Sequence, residues 1–457
     1  MPVTIIFKTS LPIGADAKAF KKIKLCKANG VSLPLSPDDD AANEALLAQH
    51  KKARKFETKL FAKCEEAAEG NLKAFIAVAK TYLSNKRCLL VFLFIVNARR
   101  PLQDRIPLDQ LIALANEYDI LKNLNEPARV WQQPKACGNR MRVVCSFGPV
   151  ARAAQLMVSK LLRLKYQPQP FQFAKLHFSE KVQHAMTVIK EKGYAHVTEI
   201  DIKDFFPSFT EEALMKSLPL PKEAIRQIVL AKSASWELHP LYIQYGHISS
   251  PPGIPQGSAS SAAVADWCIA NMPMETLKDT VVINHADNFF ALSASPECDQ
   301  SASKALSSGI AGLPGGDFHG KTVQAVTAKQ GFQMLGCWVY MEKDGSLEAD
   351  PTDANVKAFR KHTYRQRQRV YGRLTAAKKA QSEKLRVMGL QDYLRFESMC
   401  YGWVQAFAFC GILVDCIKDH YEFELNQLRY TFKITDTELK PLKDQSTDIP
   451  VKWYSGS

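Results

Sequence analysis

The sequence lacks three features that would place it in a well-defined class of proteins. No apolar run approaches the roughly 20 residues that a membrane span requires; the longest, residues 88–96, is flanked by basic residues and predicts a buried helix. The N-terminus has no basic segment followed by an apolar one, so we expect no signal peptide. The 11 cysteines include no Cys-x-x-Cys pair. This pattern argues against a zinc knuckle or a disulfide scaffold and predicts a reducing, cytoplasmic location.

Positive charge is abundant and unevenly distributed. The 457 residues are 46% hydrophobic and 23% charged, which is typical of globular proteins, and the net charge is +14. Residues 357–386 contain eleven Lys or Arg and a single acid, Glu383, with Phe359, Tyr364 and Tyr371 between them. A charge run is usually a solvated helix face. Interleaved aromatic residues also suit a phosphate backbone, so this stretch is a candidate nucleic-acid surface.

The chain changes character along its length. Residues 41–80 are predicted to be helical, and from about residue 130 short β-rich runs alternate with helices. Helix returns after Val356, and the polar tail after about Thr435 is expected to be loosely held. In the helical part, apolar residues at alternating spacings of three and four predict one buried face: Tyr393, Phe396, Cys400, Trp403 and Phe407.

Two segments place an aspartate at the end of a predicted strand. In residues 197–209 an apolar strand runs into Asp201 and is stopped by two aromatics and a proline. In residues 281–292 two apolar runs flank a polar tip, which predicts a β-hairpin with Asp287 at its turn. An aspartate displayed at the edge of a sheet can hold a cation. The alternative for Asp201 is an aspartate that caps a turn, and for Asp287, taken alone, an ordinary hairpin turn residue is favoured.

Two further segments are rich in turn residues. Residues 251–263 form a Gly/Pro loop that leads into a helix start made of small residues, which let a ligand approach the backbone closely or let a helix pack tightly on a sheet. Residues 135–144 predict a basic hairpin with Gly138 at its turn.

In this order the segments resemble the polymerase domain of reverse transcriptases, in particular bacterial ones related to retrons, group II introns and phage-defence systems. Asp201-Ile-Lys-Asp-Phe-Phe-Pro-Ser is similar to the first catalytic motif, and Gly253-Ile-Pro-Gln-Gly-Ser to the Gly-x-Pro-Gln-Gly loop. His285-Ala-Asp-Asn stands where the family has an aromatic-x-Asp-Asp box. The remaining matches are Lys321-Thr, Phe332-Gln-Met-Leu-Gly, and the fingers residues Lys135, Arg142, Arg152 and Gln155.

The resemblance implies an α+β fold of the right-hand polymerase type: fingers and a palm with an antiparallel sheet, a helical thumb, and an α-helical N-terminal extension. The expected boundaries are 1–109 for the extension, 110–345 for fingers and palm, 346–430 for the basic thumb and 431–457 for a tail. The tail has no His/Cys endonuclease pattern, and the thumb region has no retron-type Val-Thr-Gly. Stand-alone, defence-associated reverse transcriptases are therefore the most similar group.

The resemblance also implies residue roles. Asp201 and Asp287 would bind two Mg²⁺ ions, with the carbonyl of Ile202 as a further ligand and Mn²⁺ as the alternative metal. Asn288 replaces the family's second acid but keeps a carbonyl oxygen, so we expect a working site that needs more metal. Nucleotide contacts are expected from Lys135, Arg142, Gln256, Lys321 and Phe206, the last as a steric gate against the ribose 2′-hydroxyl. Nucleic-acid contacts are expected from Arg360, Arg365, Arg367, Arg369 and Arg373.

The implied activity is that of an RNA-directed DNA polymerase, a nucleotidyltransferase that adds dNTPs to a 3′-hydroxyl. Its expected partners are an RNA template, the DNA product and a dedicated non-coding RNA used in phage defence, with no membrane association; an oligomer or accessory protein is left open. One alternative is template-independent or protein-primed DNA synthesis on the same site. Another is a non-catalytic, maturase-like RNA-binding protein.

Overall fold

The computed structural model describes residues 25–28, 31–34, 40–100, 105–134, 141–239 and 249–447. The predictions for Lys135 and for a turn at Gly138 lie outside these residues. Within them, long helices combine with sheets whose strands are mostly antiparallel, so the predicted α+β class is confirmed. None of the described helices combines the length and the hydropathy needed to cross a bilayer.

Helices dominate both ends of the described chain, and most strands lie between them. The helices of seven residues or more are α1 Asp40–Glu69, α2 Leu72–Ser84, α3 Lys86–Ala98, α4 Leu108–Glu117, α5 Pro149–Lys165, α6 Phe178–Lys192, α7 Glu211–Ser217, α8 Ser261–Ala270, α9 Pro296–Ala311, α10 Asp353–Ala380, α11 Glu383–Ala406, α12 Ile412–Phe432 and α13 Asp436–Thr447. The strands are β1 Leu25–Ala28, β2 Val31–Pro34, β3 Pro127–Pro134, β4 Met141–Phe147, β5 His196–Ile202, β6 Ser235–Leu238, β7 Thr280–His285, β8 Asn288–Ser293, β9 Gly320–Thr327, β10 Phe332–Met334, β11 Cys337–Met341 and β12 Leu347–Pro351.

A four-stranded antiparallel sheet in the order β7-β8-β5-β9 forms the centre of the molecule. Side chains alternate across such a sheet, so Glu199 and Asp201 of β5 face one side while Ile200 and Ile202 face the other. The predicted hairpin is β7-β8, and it lies beside β5. The two predicted aspartate-bearing segments are therefore neighbours in space.

This central sheet separates two hydrophobic clusters. Ile200, Ile202 and Phe289 belong to one cluster, which continues into α3, α5 and α8. Val197 and Phe290 belong to the other, which continues into α6, the β10-β11-β12 sheet and helices α10 to α13. The acidic side of β5 therefore faces the same side of the sheet as the C-terminal helices.

Helices of the predicted N-terminal extension share the first of these clusters with the strands and helices that follow. Helix α3, predicted to be buried, has ten buried residues of its thirteen, so that prediction is confirmed. The Glu57 carboxylate of α1 lies 2.8 Å from the Lys160 ammonium of α5 and accepts a hydrogen bond of 2.5 Å from the Tyr82 hydroxyl. A partly buried ion pair thus connects α1 to α5.

A second sheet, in the order β4-β3-β6, leads into α5. The buried Glu126 carboxylate accepts hydrogen bonds from the backbone nitrogens of Val150 at 3.1 Å and Ala151 at 2.7 Å. These are N–H groups that the first turn of a helix cannot satisfy by itself. A Cβ atom at the N-cap, Gly148, would lie 2.2 Å from the Glu126 carboxyl carbon, so a larger residue there would displace this carboxylate from its two hydrogen bonds. This cap fixes the start of α5.

The C-terminal helices pack around the face predicted from apolar spacing. That prediction is confirmed, because Tyr393, Phe396, Cys400, Trp403 and Phe407 are all buried. The rings of Phe359 and Trp403 stack with centroids 4.5 Å apart and join α10 to α11.

The prediction of a loose tail after residue 435 is wrong for residues 436–447. They form α13, in which Leu439 and Leu442 are buried, and Glu438 lies 2.7 Å from Arg386 of α11. Asp436 also lies 2.9 Å from Arg429, and Lys443 lies 3.0 Å from Glu397, so a few apolar residues and several ion pairs hold a segment that is polar in sequence.

Candidate active site

Asp201 and Asp287, 86 positions apart in sequence, occupy adjacent positions at one end of the central sheet. Asp201 pairs in register with Asn288, and the backbone nitrogen of Ile202 donates a 2.9 Å hydrogen bond to the carbonyl oxygen of Asp287. Paired antiparallel strands run about 5 Å apart. The two carboxylates predicted to act together therefore belong to directly neighbouring backbone segments.

The donor chemistry at this end of the sheet fits Mg²⁺ held jointly with a substrate. Mg²⁺ prefers oxygen ligands, keeps several waters and is usually bound by one or two carboxylates plus substrate phosphates. Asp201 and Asp287 supply two carboxylates, and the backbone of Ile202 lies beside them. Across the described ranges, no three His, Cys, Asp or Glu side chains converge into a metal-binding group. A cage made only of protein side chains is thus not what these residues form.

Glu199 is a third acid on the same side of β5, and the sequence analysis did not single it out. Burial, with smaller contributions from the charges of Asp201 and Asp287, raises its pKa to about 7. This indicates that all three acids share one electrostatic environment. Its Oε2 accepts a 2.8 Å hydrogen bond from Nε2 of Gln324 on β9. Glu199 could have been predicted from the sequence, because a residue two positions before Asp201 in a strand lies on the same side of the sheet.

Asn288 lies where the reverse transcriptase pattern has a second acid. Its Nδ2 donates a 3.4 Å hydrogen bond to Oδ1 of Asp287. An aspartate could not donate this bond when ionised and would repel the Asp287 carboxylate. The amide therefore relieves charge repulsion at the hairpin and orients the remaining acid.

The Gly/Pro loop lies against the turn that follows Asp201. Gly253 has φ +63°, and a Cβ atom there would lie 2.1 Å from the carbonyl oxygen of Phe206. That same oxygen accepts a 3.0 Å hydrogen bond from the nitrogen of Ile254. Close approach of two backbones is thus the reason for glycine at this position.

The other end of the loop joins the free edge of β4. The nitrogen of Cys145 donates a 2.7 Å hydrogen bond to the carbonyl oxygen of Gln256. Gly257 has φ +109°, and a Cβ atom there would lie 2.2 Å from the carbonyl oxygen of Cys145. The loop therefore bridges β4 and the Phe206 turn.

Helix α5 supports the small residues that follow this loop. Oε1 of the buried Gln155 accepts a 3.0 Å hydrogen bond from the nitrogen of Ala259. The Ser159 hydroxyl donates a 2.8 Å hydrogen bond to the carbonyl oxygen of the same Ala259. The sequence left two interpretations for the small residues: tight helix packing or close approach of a ligand. The contacts of Ala259 with α5 support tight packing. A ligand role for them stays a prediction.

The predicted nucleotide contacts lie on four different elements. Arg142 is half-buried on β4, Gln256 is half-buried in the loop, and Phe206 begins a short 3₁₀ turn with its ring half-buried beside Phe205. Lys321 is exposed on β9, opposite Asp201 in register. The backbone hydrogen bonds of the loop connect the segments that carry Arg142, Gln256 and Phe206. Lys321 instead lies beside Asp201 on the neighbouring strand.

The five arginines predicted to bind nucleic acid all lie on α10 but differ in surroundings. Arg373 lies 2.6 Å from the fully buried Asp392, and Arg367 lies 3.1 Å from Glu424. These two ion pairs connect α10 to its neighbours and give Arg367 and Arg373 a structural role that the sequence did not predict. The exposed members of the set are Arg360, Arg365 and Arg369.

A second basic surface lies on α1 and was also not predicted. Lys51, Lys55, Lys59 and Lys63 are exposed at intervals of four residues, and we name these four the α1 lysine stripe. Residues four apart lie on one face of a helix, and like charges at that spacing lower helix stability slightly. The opposite side of α1 is buried against α3 and α5.

Comparison with known proteins returns structural likeness only. No protein-family model matches the chain, and no curated protein matches it. Among solved structures, the chain is similar to telomerase from Candida albicans in complex with a fragment of telomeric RNA, at 14% identity and a TM-score of 0.35 over 74% of this chain and 63% of that one. The chain thus spans less than two thirds of that telomerase.

Two further solved structures have similar statistics. The Sicinivirus 3Dpol RNA-dependent RNA polymerase is 9% identical, with a TM-score of 0.33 over 67% of this chain and 69% of that one. Apo telomerase from Candida tropicalis, truncated from its C-terminal domain, is 10% identical with a TM-score of 0.33 over 50% and 56%. All three are nucleic-acid polymerases by their descriptions. Likeness at this level transfers no residue roles.

Proposed function

We propose that this chain is an RNA-directed DNA polymerase that joins dNTPs to a 3′-hydroxyl at the Asp201–Asp287 site. The observation that carries the proposal is the backbone pairing that puts these two acids side by side at the end of an antiparallel sheet. The half-buried Phe206 and the Gly/Pro loop border the turn that follows Asp201.

Phosphoryl transfer gives each of these residues a task. Two Mg²⁺ ions held by Asp201 and Asp287 would activate the 3′-hydroxyl and stabilise the departing pyrophosphate. Arg142 would bind the triphosphate by charge-assisted hydrogen bonds, and Gln256 would contact the nucleotide from the loop. Lys321 would neutralise charge on the phosphates or donate a proton to the leaving group. The Phe206 ring would exclude a 2′-hydroxyl.

Two basic surfaces support an RNA template as the partner. The exposed arginines Arg360, Arg365 and Arg369 lie on α10, and the α1 lysine stripe lies on the N-terminal helices. Neutralising backbone phosphates supplies most of the sequence-independent affinity for nucleic acid. A dedicated non-coding RNA and a part in phage defence are proposals carried by the sequence resemblance alone.

Primer extension by the purified full chain tests the proposal. With Mg²⁺, dNTPs and a primed RNA we expect product whose sequence follows the template. Asp201→Asn and Asp287→Asn should each abolish synthesis, whereas Asp109→Asn, which changes an exposed acid on α4, should not.

Other outcomes select the alternatives. Product without a template would favour template-independent or protein-primed synthesis. Tight RNA binding without product would favour a maturase-like binding protein. Synthesis that survives both aspartate substitutions would refute the site.

A further inference from the structure

The hairpin tip that carries Asp287 is held by an unusual set of hydrogen bonds. Nδ2 of the buried Asn284 donates to the carbonyl oxygen of Ala286 at 2.9 Å and to that of Asn288 at 3.1 Å. Between them, the carbonyl oxygen of Asp287 accepts the 2.9 Å bond from the nitrogen of Ile202. Three successive carbonyl oxygens are therefore fixed, and Asp287 is the middle residue.

Lys181 of α6 fixes the backbone of Asn284 on the edge strand β7. Its Nζ donates hydrogen bonds of 2.8 Å to the carbonyl oxygen of Asn284 and 2.9 Å to that of Gln172, and the residue is only 6% exposed. Asp266 of α8 lies close enough to offset its charge. Burying an ammonium group is costly unless it is paired and hydrogen-bonded. A lysine at this position is therefore suited to holding two backbone carbonyl groups at once.

The tip needs such support because its backbone is strained. Ala286 has φ +53°, the left-handed region, which costs a non-glycine residue about 1 kcal/mol or more. A two-residue connection without support would relax toward other conformations. Carboxylates that act in catalysis must be held within about 0.5 Å of their working position.

Building on the proposed polymerase function, we propose that Asn284 and Lys181 are positioning residues that hold the Asp287 carboxylate in its working place. Asn284 acts directly on the tip through its amide, and Lys181 acts through Asn284. Neither residue touches the reacting atoms. They fix the register and the rigidity of the turn at residues 286 and 287. This effect adds to the folding stability that any buried hydrogen bond supplies.

Four substitutions separate positioning from general stability. Asn284→Ala removes the amide, and Asn284→Asp keeps its shape but removes the donor. Lys181→Met keeps the apolar stem without the ammonium, and Lys181→Arg restores a cationic donor. Asn97→Ala is the matched control, because Asn97 is fully buried and also binds a backbone segment, through Ile106 N and O at 2.8 Å each.

Hydrogen exchange of the full chain, read by mass spectrometry, tests the tip without requiring activity. Asn284→Ala and Asn284→Asp should speed exchange at least tenfold in peptides covering residues 283–290, and Lys181→Met should do so to a smaller extent. Asn97→Ala should speed exchange near residues 97–106 only. Unchanged exchange at the tip in Asn284→Ala, or equal loosening by Asn97→Ala, overturns the proposal. This result stands whether or not the chain proves to be a polymerase.

Kinetics and metal binding supply the second measurement. A displacement of about 1 Å costs roughly 100-fold in rate, so Asn284→Ala should lower kcat by about that factor with little change in KM for dNTP. Mn²⁺ binding followed by electron paramagnetic resonance should weaken at least tenfold in Asn284→Ala. Lys181→Arg should recover most of the activity lost in Lys181→Met. Loss of activity that tracks only the fraction of folded protein, with wild-type Mn²⁺ binding, contradicts a positioning role.

Discussion

Asp201 and Lys321 are direct cross-strand neighbours, one on β5 and the other on the edge strand β9. Side chains opposite each other in an antiparallel pair have Cβ atoms about 4.5–5.5 Å apart on the same side of the sheet. Lys321 is exposed, so its ammonium can reach the space in front of the Asp201 carboxylate. The sequence resemblance implied a nucleotide contact for Lys321, and the strand pairing puts this residue beside Asp201.

Replacing this lysine is therefore expected to slow chemistry. Lys321→Gln should lower kcat for primer extension by about 10- to 100-fold, because a positioned proton donor or counter-charge is lost. The free energy of unfolding should change by less than about 0.5 kcal/mol, as for most exposed positions. Single-turnover extension and thermal melting measure the two quantities. Lys329→Gln, an exposed lysine just beyond β9, is the control. Equal effects of both substitutions would contradict a special role for Lys321.

Sugar selectivity tests Phe206. Phe206→Ala should admit ribonucleotides and shift the dNTP-to-rNTP ratio of kcat/KM by about 10- to 100-fold, because the clash with a 2′-hydroxyl disappears. The measurement is competition between matched nucleotides on one primed template. Phe423→Ala removes an exposed ring on α12 and should leave the ratio unchanged. A selectivity that stays at the wild-type value in Phe206→Ala would assign the gate elsewhere.

The half-buried Glu199 predicts how stability depends on pH in the absence of metal. Burial raises the pKa of Glu199 from 4.5 to about 7, so the folded state binds this proton more tightly than the unfolded chain does. The resulting stabilisation is full below about pH 4.5 and is lost as the pH rises through about 7. The loss amounts to up to about 3 kcal/mol.

Glu199→Gln should remove this part of the pH dependence. Denaturant melts in EDTA at pH 5, 6, 7 and 8 measure it, and the variant should be the more stable protein at pH 8. Glu297→Gln, an exposed acid on α9, should follow the wild-type curve. Parallel curves for wild type and Glu199→Gln would mean that Glu199 ionises normally.

The α1 lysine stripe predicts a salt dependence of RNA binding. Each phosphate contact to a single strand contributes about −0.7 to the slope of log K against log salt. Converting all four stripe lysines to glutamine should therefore reduce the slope by about 3. Anisotropy with a labelled, unstructured 20-nucleotide RNA measures it. Melting temperature should hold or rise, since repulsion along α1 is relieved.

A matched variant controls for net charge. Lys190, Lys304, Lys329 and Lys343 are exposed and lie on separate segments, so their conversion to glutamine removes the same charge without removing a stripe. An equal change of slope in both variants would show that only total charge matters.

The sequence predicts strand β5 and the β7-β8 hairpin well because both follow from local pattern, whereas the pairing of their two acids was implied only by the family resemblance. Alternation fixes which side of β5 bears Asp201, and a polar tip between apolar runs predicts the hairpin. Apolar spacing predicts the buried face of α11 for the same reason. These signals lie within one element and need no knowledge of its neighbours.

The supports of the site are not predictable in this way. Lys181 bonds a carbonyl oxygen 103 positions away, and Gln155 bonds a nitrogen 104 positions away. Neither contact leaves a pattern in the sequence, since one partner is a backbone atom that every residue possesses. The ion pairs of Arg367 and Arg373 are hidden for a related reason, because a basic run looks the same whether its members face solvent or a buried acid.

The bridge made by the Gly/Pro loop has a consequence for how a nucleotide would be received. Arg142 lies on the strand that carries the Cys145–Gln256 bond, and Phe206 offers its carbonyl oxygen to the other end of the loop. Segments connected by backbone hydrogen bonds keep their spacing when whole domains move relative to one another. The pocket for base, sugar and phosphate would thus be assembled during folding, and an arriving substrate would lose little entropy to induced rearrangement.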